Sequence, residues 1–298
     1  MTKLDKRVTP ARADLADERL RGIVDAARYV AGETRTVSSP AAPVRREPRA
    51  DAPLDTEALM GEPVTVYEEQ DGHAWAQLGT DGYVGYLPSE ALGPAAPAAT
   101  HRVTAIRTFI YPGPSLKLPH AGYLSLGAGV TPVERENEYL RLATGGWVFD
   151  GHLGPAGEHV ADFVSVAERL IGVPYLWGGK TSLGLDCSGL VQLSLAMAGI
   201  AAPRDSDMQE AALGREVDPT SGLRRGDLVF WRGHVGIMQD GARLLHANGY
   251  HMAVASEPLA EAESRIRDKS FGPITAVRRP PRLGAASLQD GNQAAPPA

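Results

Sequence analysis

The sequence predicts an α+β domain preceded by two small all-β barrels. Three observations carry this prediction. Short β-like runs such as "EPVTVYEE", "HAWAQLG" and "DGYVGYLP", punctuated by Gly and Asp, fill residues 37–156. Within that stretch Gly61, Val64 and Thr65 return as Gly127, Val130 and Thr131, Gly82-Tyr83-Val84 returns as Gly146-Trp147-Val148, and Trp75 is matched by Tyr139. The offset of about 64 to 66 residues suits one small barrel per copy. Beyond residue 157 the period becomes helical and then gives way to further short strands.

The elements follow in order. Residues 1–36 are charged and Ala-rich, and Leu15, Leu20, Ile23, Val24 and Ala27 make a loose helical stripe, so an N-terminal helical segment is expected there. The first barrel occupies 37–97 and the second 98–156, with "GPAAPAAT" (93–100) as the linker. The α+β domain spans 157–282. It opens with a helix whose apolar positions are 160, 163, 164, 167, 170 and 171 and which stops at Gly172, ahead of Val173-Pro174. Residues 190–198 are apolar nearly all round and predict a buried central helix. Strands are expected in "GDLVFWR", "HVGIMQ", "RLLHANG" and "ITAVRRP", and a disordered tail over 283–298.

Composition narrows the function classes. A net charge of −6 over 298 residues provides no broad basic field, which argues against nucleic acid or an anionic membrane as partner. The single cysteine forms no internal disulfide and is easiest to keep reduced inside a cell. The first twenty residues lack the apolar stretch of a signal peptide, so a cytoplasmic protein is expected.

The one thiol, Cys187, stands where a Gly-rich turn becomes the central helix. With Asp186 as N-cap, the positive end of the helix dipole would favour the thiolate, and Gly178-Gly179 and Gly189 leave room for a substrate backbone. A nucleophile needs a base and an orienter, and His234 and His246 are the candidates. A three-residue loop, Asp240-Gly241-Ala242, would pair Gln239 with Arg243 and Gly236 with His246, which sets both rings on one face of a hairpin. A two-residue loop would put them on opposite faces. A buried inert thiol, a pair of satisfied histidines and a Cys/His/His zinc site are the competing readings.

The stretches "PYLWGGKTSLGLDCSGLV", "GDLVFWRGHVGIM" and "LLHANG" resemble the NlpC/P60 cysteine peptidases over about residues 157–282, and "GEPVTV…W…GYVGYLP" resembles a bacterial SH3 domain, with the second copy more degenerate. The resemblance implies a papain-like catalytic domain behind two SH3-like barrels. It also implies hydrolysis of the bond between γ-D-glutamate and a diamino acid in peptidoglycan-derived peptides with a free N-terminal L-Ala. Cys187 would be the nucleophile, His234 the general base, His246 the orienter and Tyr175 an oxyanion donor. Asp186, Ser188, Asp205 and Ser206, with Glu62 and Tyr83 from the first barrel and Trp177, would line the substrate pocket. No metal or organic cofactor is implied. Two departures stand out: Arg225 replaces the commoner Pro of "PGD", and the loop between Trp231 and His234 is very short. The alternatives are a wall-fragment-binding protein whose peptidase domain is a scaffold, and a thiol acyltransferase or amidase.

Overall fold

The computed structural model describes residues 4–281, so the tail expected over 283–298 lies outside the described residues.

The N-terminal segment departs from expectation. No α-helix forms between residues 4 and 36. Instead a short strand, Leu15–Asp17, pairs in parallel with Arg28–Val30 around a single 3₁₀ turn. Two features prevent the helix: Gly22 takes φ +82°, and of the proposed stripe only Leu15 is buried, against Tyr67 and Trp75, while Ile23 is 64 % exposed. The segment is held by side chains of the first barrel, where the Tyr67 hydroxyl donates to Asp17 Oδ2 at 2.8 Å.

The first barrel is a seven-stranded sheet that begins earlier than expected, because Glu33–Val37 pairs with both Pro63–Gln70 and Leu92–Pro94. Val37, Val44, Val64, Leu78 and Leu87 fill its interior. The second module is built from smaller sheets around Val103, Leu124, Val130, Leu142 and Val148, and Leu59 and Met60 of the first barrel complete that core. The internal repeat is real in the backbone: Gly61 and Gly127 take φ +83° and +86°, and Gly82 and Gly146 take +75° and +78°. These left-handed turns need glycine, which is why they survive in both copies.

The α+β domain packs four helices, among the described residues, on a six-stranded antiparallel sheet. Helix α1 (Phe163–Arg169) and helix α2 (Cys187–Met197) share a core with Phe230, Val235, Ile237 and Leu245. Helix α3 (Ser206–Ala212) packs beside α2, whereas helix α4 (Leu259–Lys269) buries Ala262 and Ile266 in a second core with Trp231, Met238 and Leu244. The central strands are Leu228–Trp231, His234–Met238 and Arg243–Asn248, joined in that order as hairpins. The strand Ala276–Arg279 pairs with the opposite edge of Leu228–Trp231. Arg225, the first departure from the family pattern, has a structural use: its guanidinium binds Asp162 and Glu168 at both ends of α1 and donates to the Gln239 carbonyl.

Candidate active site

The hairpin loop has the expected three residues. Gln239 N–H donates to the Arg243 carbonyl at 2.9 Å, and Ile237 and Met238 pair with Leu245 and Leu244. That register puts His234 and His246 on one face, and His234 Nε2 lies 2.8 Å from His246 Nδ1.

A residue the sequence reading missed fixes the protons. Glu257, on the next strand (Ala253–Pro258), lies with Oε1 2.7 Å from His246 Nε2 and is clamped by both Nη atoms of Arg265. Burial alone would raise its pKa, but the hydrogen bonds from His246 and Arg265 outweigh burial and pull it down to about 2. An ionised carboxylate only accepts, so His246 Nε2 carries a proton and Nδ1 accepts from His234 Nε2–H. His234 Nδ1 is thereby left as the free base. The signal that could have found Glu257 is its register: His246 pairs with Ala255, two residues away on the same face.

Cys187 begins α2, with Asp186 as N-cap accepting from Gly189 N–H at 2.7 Å. The thiol is not the pre-formed thiolate that the helix end suggested. Burial, and then the Asp186 carboxylate beside it, push its pKa up to about 12, against the opposing effect of the Val235 and Ser188 N–H groups. His234 moves the other way, to about 3, through burial and then the neighbouring His246. The resting pair is therefore neutral thiol and neutral imidazole.

Two recesses meet at this pair. A cleft of about 670 Å³ lies on the Cys187 side, and one of about 340 Å³ lies on the His234–His246 side; Tyr175, Trp177 and Gly233 line both. Tyr175 keeps its hydroxyl proton, since burial and the nearby Cys187 and Asp186 raise its pKa, and it is available to donate to an oxyanion. The short loop after Trp231 is a two-residue turn whose Gly233, at φ +83°, brings bare backbone to the cleft.

The remaining predicted residues divide. Ser206 and Asp205 line the larger cleft, as does Tyr83, whose hydroxyl lies 3.3 Å from Asp205 Oδ2. Trp177 stands at the mouth, 65 % exposed. Asp186 and Ser188 line it too, but their polar atoms are committed. Asp186 accepts from Gly178 N, Gly189 N and Arg204, and Arg204 Nη1 also donates to Ser188 Oγ at 2.8 Å. Arg204, buried and adjacent to the predicted Asp205, is the organising cation that the sequence reading passed over.

Glu62 is a correction. It faces away from the cleft, where Leu59 N–H (3.3 Å) and the Thr80 hydroxyl donate to it and Lys180 Nζ lies 3.9 Å off, in a separate recess between the barrel and α2. The left-handed turn at Gly61 directs its side chain back onto its own loop. The barrel carboxylate in the cleft is Asp55, paired with Arg46 at 2.7 Å. As for a zinc site, the His/Cys/Asp/Glu grouping with metal-ligand spacing among the described residues is His246, His251 and Glu257. It omits Cys187, and Arg265 already occupies Glu257.

Residues 172–267 match the NlpC/P60 family, and residues 44–92 match the bacterial dipeptidyl-peptidase Sh3 domain. The chain carries an NlpC/P60 domain. It is a cysteine peptidase with SH3-like barrels ahead of its catalytic domain. It is similar to the γ-D-glutamyl-L-lysine dipeptidyl-peptidase of Bacillus subtilis, with 27 % identity over 66 % of this chain and 73 % of that one. It is also similar to dipeptidyl-peptidase 6 of Lysinibacillus sphaericus, with 32 % identity over 38 % of this chain. The second alignment spans 42 % of its relative's length. Among solved structures, an NlpC/P60 family protein from Bacillus cereus shares the fold with a TM-score of 0.69 at 20 % identity, covering 83 % of this chain and 99 % of that one.

Proposed function

We propose that this peptidase hydrolyses the γ-D-glutamyl–diamino acid bond of peptidoglycan-derived peptides that carry a free N-terminal L-Ala, and that it does so in the cytoplasm, on fragments being recycled. One observation carries the reading. The Cys187 side of the site ends against the first barrel, where Tyr83 meets Asp205 and Asp55 lines the same cleft. A wall of that kind leaves space for a short acyl portion and offers a carboxylate to a desolvated ammonium group, which would otherwise be costly to bury. The similarity to γ-D-glutamyl-L-lysine dipeptidyl-peptidase supports the bond type.

In the reaction, His234 Nδ1 accepts the Cys187 proton as sulfur attacks the γ-glutamyl carbonyl. Tyr175 and the Cys187 backbone N–H stabilise the oxyanion, and His234 then donates the proton to the leaving amine. Water, deprotonated by His234, releases the dipeptide from the thioester. Because the leaving amine must reach His234, the smaller recess on that side receives the diamino acid.

The test is to incubate the protein with L-Ala-γ-D-Glu-meso-diaminopimelate and with its N-acetylated form and to identify products by mass spectrometry. The expected products are L-Ala-γ-D-Glu and diaminopimelate from the free peptide, little from the capped one, and none from Cys187→Ala. Equal cleavage of both peptides by the wild type would overturn the free-amine requirement.

A further inference from the structure

Residues 5–12 lie outside both segments that match known families, 44–92 and 172–267. They run across the acyl-side end of the cleft, and Lys6, Arg7, Thr9 and Arg12 form part of its wall. The strap is fixed to the first barrel: Val84 N–H donates to the Arg7 carbonyl at 2.7 Å, Gln77 Nε2 donates to the Val8 carbonyl at 3.0 Å, and the Arg12 guanidinium sits 4.4 Å over the Trp75 ring.

From this anchored backbone the Arg7 side chain crosses to the catalytic domain. Its Nη1 lies 2.8 Å from Asp205 Oδ2 and 2.8 Å from Asp207 Oδ1, and its Nη2 lies 2.7 Å from both Asp207 Oδ2 and Asp5 Oδ2. One guanidinium shared by three carboxylates leaves the cluster anionic. Asp205 Oδ2 is taken by Arg7 and Tyr83, while Oδ1 accepts no hydrogen bond from the described residues. Although Asp205 stands at the N-cap of α3, its side chain makes no capping bond.

We propose that Arg7 is a positioning residue for the substrate ammonium group: it holds Asp205 ionised, with Oδ1 free to bind the amine, and its strap closes the cleft beyond the second substrate residue. This rests on the free-amine reading above. The electrostatics explain why a distant arginine is needed. Burial raises the pKa of Asp205 and so does Asp207; Arg204 and Arg7 oppose them, with Tyr83, Arg46 and Asp55 completing the surroundings. Without Arg7 the balance tips toward the neutral acid, which does not pair with an ammonium ion.

Steady-state kinetics on free and N-acetylated L-Ala-γ-D-Glu-meso-diaminopimelate, for wild type, Arg7→Gln and Arg7→Lys across about pH 5 to 8, decide the matter. Arg7→Gln is expected to raise KM for the free peptide up to about tenfold at the acid end of that range, where a one-unit pKa shift is fully felt, with kcat nearly unchanged and a smaller effect near pH 8. Because Asp205 then protonates at higher pH, the acid limb of kcat/KM moves upward by about the same unit. Arg7→Lys restores most of both and keeps the test sound if the glutamine variant folds poorly. An unchanged KM and acid limb in Arg7→Gln would overturn the proposal, and so would a lowered KM, which would make Arg7 a competitor of the substrate. If the wild type cleaves both peptides equally, the free-amine reading falls and takes this proposal with it. If the wild type discriminates and Arg7→Gln discriminates equally well, only the proposal falls.

Discussion

The two β modules share a repeat and do different work. In the first, Gly82-Tyr83-Val84 presents Tyr83 to the catalytic cleft, and Asp81 secures that presentation by accepting from Tyr83 N–H and from Gln192 Nε2 of α2. In the second, the matching Trp147 stays within its own module, pairing with Arg141 and bridging to Tyr111. The second module reaches the catalytic domain elsewhere: Arg107 and Ser125 hold Ser182, in the loop that leads to Cys187. The same glycine-bounded turn therefore forms a wall of the cleft in one copy and an internal turn in the other. Position relative to α2, not the motif, decides which.

Core truncation gives the largest expected contrast. Leu78→Ala in the first module and Leu142→Ala in the second both remove a side chain about 1 % exposed, and each should cost about 2–5 kcal/mol in urea unfolding. Only Leu78→Ala should also alter KM of the folded enzyme. A KM shift from Leu142→Ala would break the division of labour.

Glu257→Gln lies outside both modules and calibrates them. An amide can offer an N–H where only an acceptor belongs, so the proton order through His246 to His234 is lost. kcat should fall about 10- to 100-fold with KM steady, the size usual for a partner that orients a reactive group. Retention of full kcat would mean that His246 keeps its tautomer unaided.

Acid titration separates the domains by sign. His234, lowered to about 3, and His246, also lowered by burial, are neutral when folded but take up protons when unfolded below the ordinary histidine value. Stability therefore falls as pH drops from about 6.5, by about 1.4 kcal/mol per unit for each group, and for His234 this continues until about pH 3. Glu257 adds a loss as pH falls from the ordinary Glu range toward its folded value of about 2. Glu57 of the first barrel, raised chiefly by burial although Lys180 N–H donates to it, runs the other way: the cost of burying its charge is relieved as pH falls through the raised value. Urea melts at stepped pH should show that, as pH rises from the ordinary Glu range through the raised value, a Glu57→Gln variant lacks the loss of stability that this group imposes on the wild type. A parallel pair of curves would count against a raised Glu57.

The smallest effect expected is Tyr83→Phe, which removes one hydroxyl at 3.3 Å from Asp205 and should raise KM about fivefold, roughly the worth of one long, ordinary hydrogen bond. Arg107→Ala should leave KM alone and lower kcat a few-fold through the loop before Cys187. The reverse pattern would exchange the parts assigned to the modules.

Much of the site was legible because its determinants are local or periodic. The Asp186 cap, the Cys187 helix start and the Asp240-Gly241-Ala242 loop follow from chain-local chemistry, and the loop length alone set His234 beside His246. The N-terminal segment was misread because a weak apolar stripe cannot report that Leu15 has a better partner in Tyr67 and Trp75, far along the chain. Glu62 was misplaced for a related reason: the turn at Gly61 settles where its side chain goes, and family spacing does not carry that direction.

By itself the sequence determined the α+β and double-barrel plan, the place of Cys187 at a helix start and the pairing of His234 with His246, since those rest on period, spacing and side-chain alternation. Tertiary structure alone decided the charge states. Burial made the thiol and both imidazoles neutral, Glu257 and Arg265 fixed the tautomers, and Arg7 met Asp205 across 198 positions of chain. Desolvation and Coulomb interactions depend on distance in space and on what excludes water, and neither is written in the order of residues.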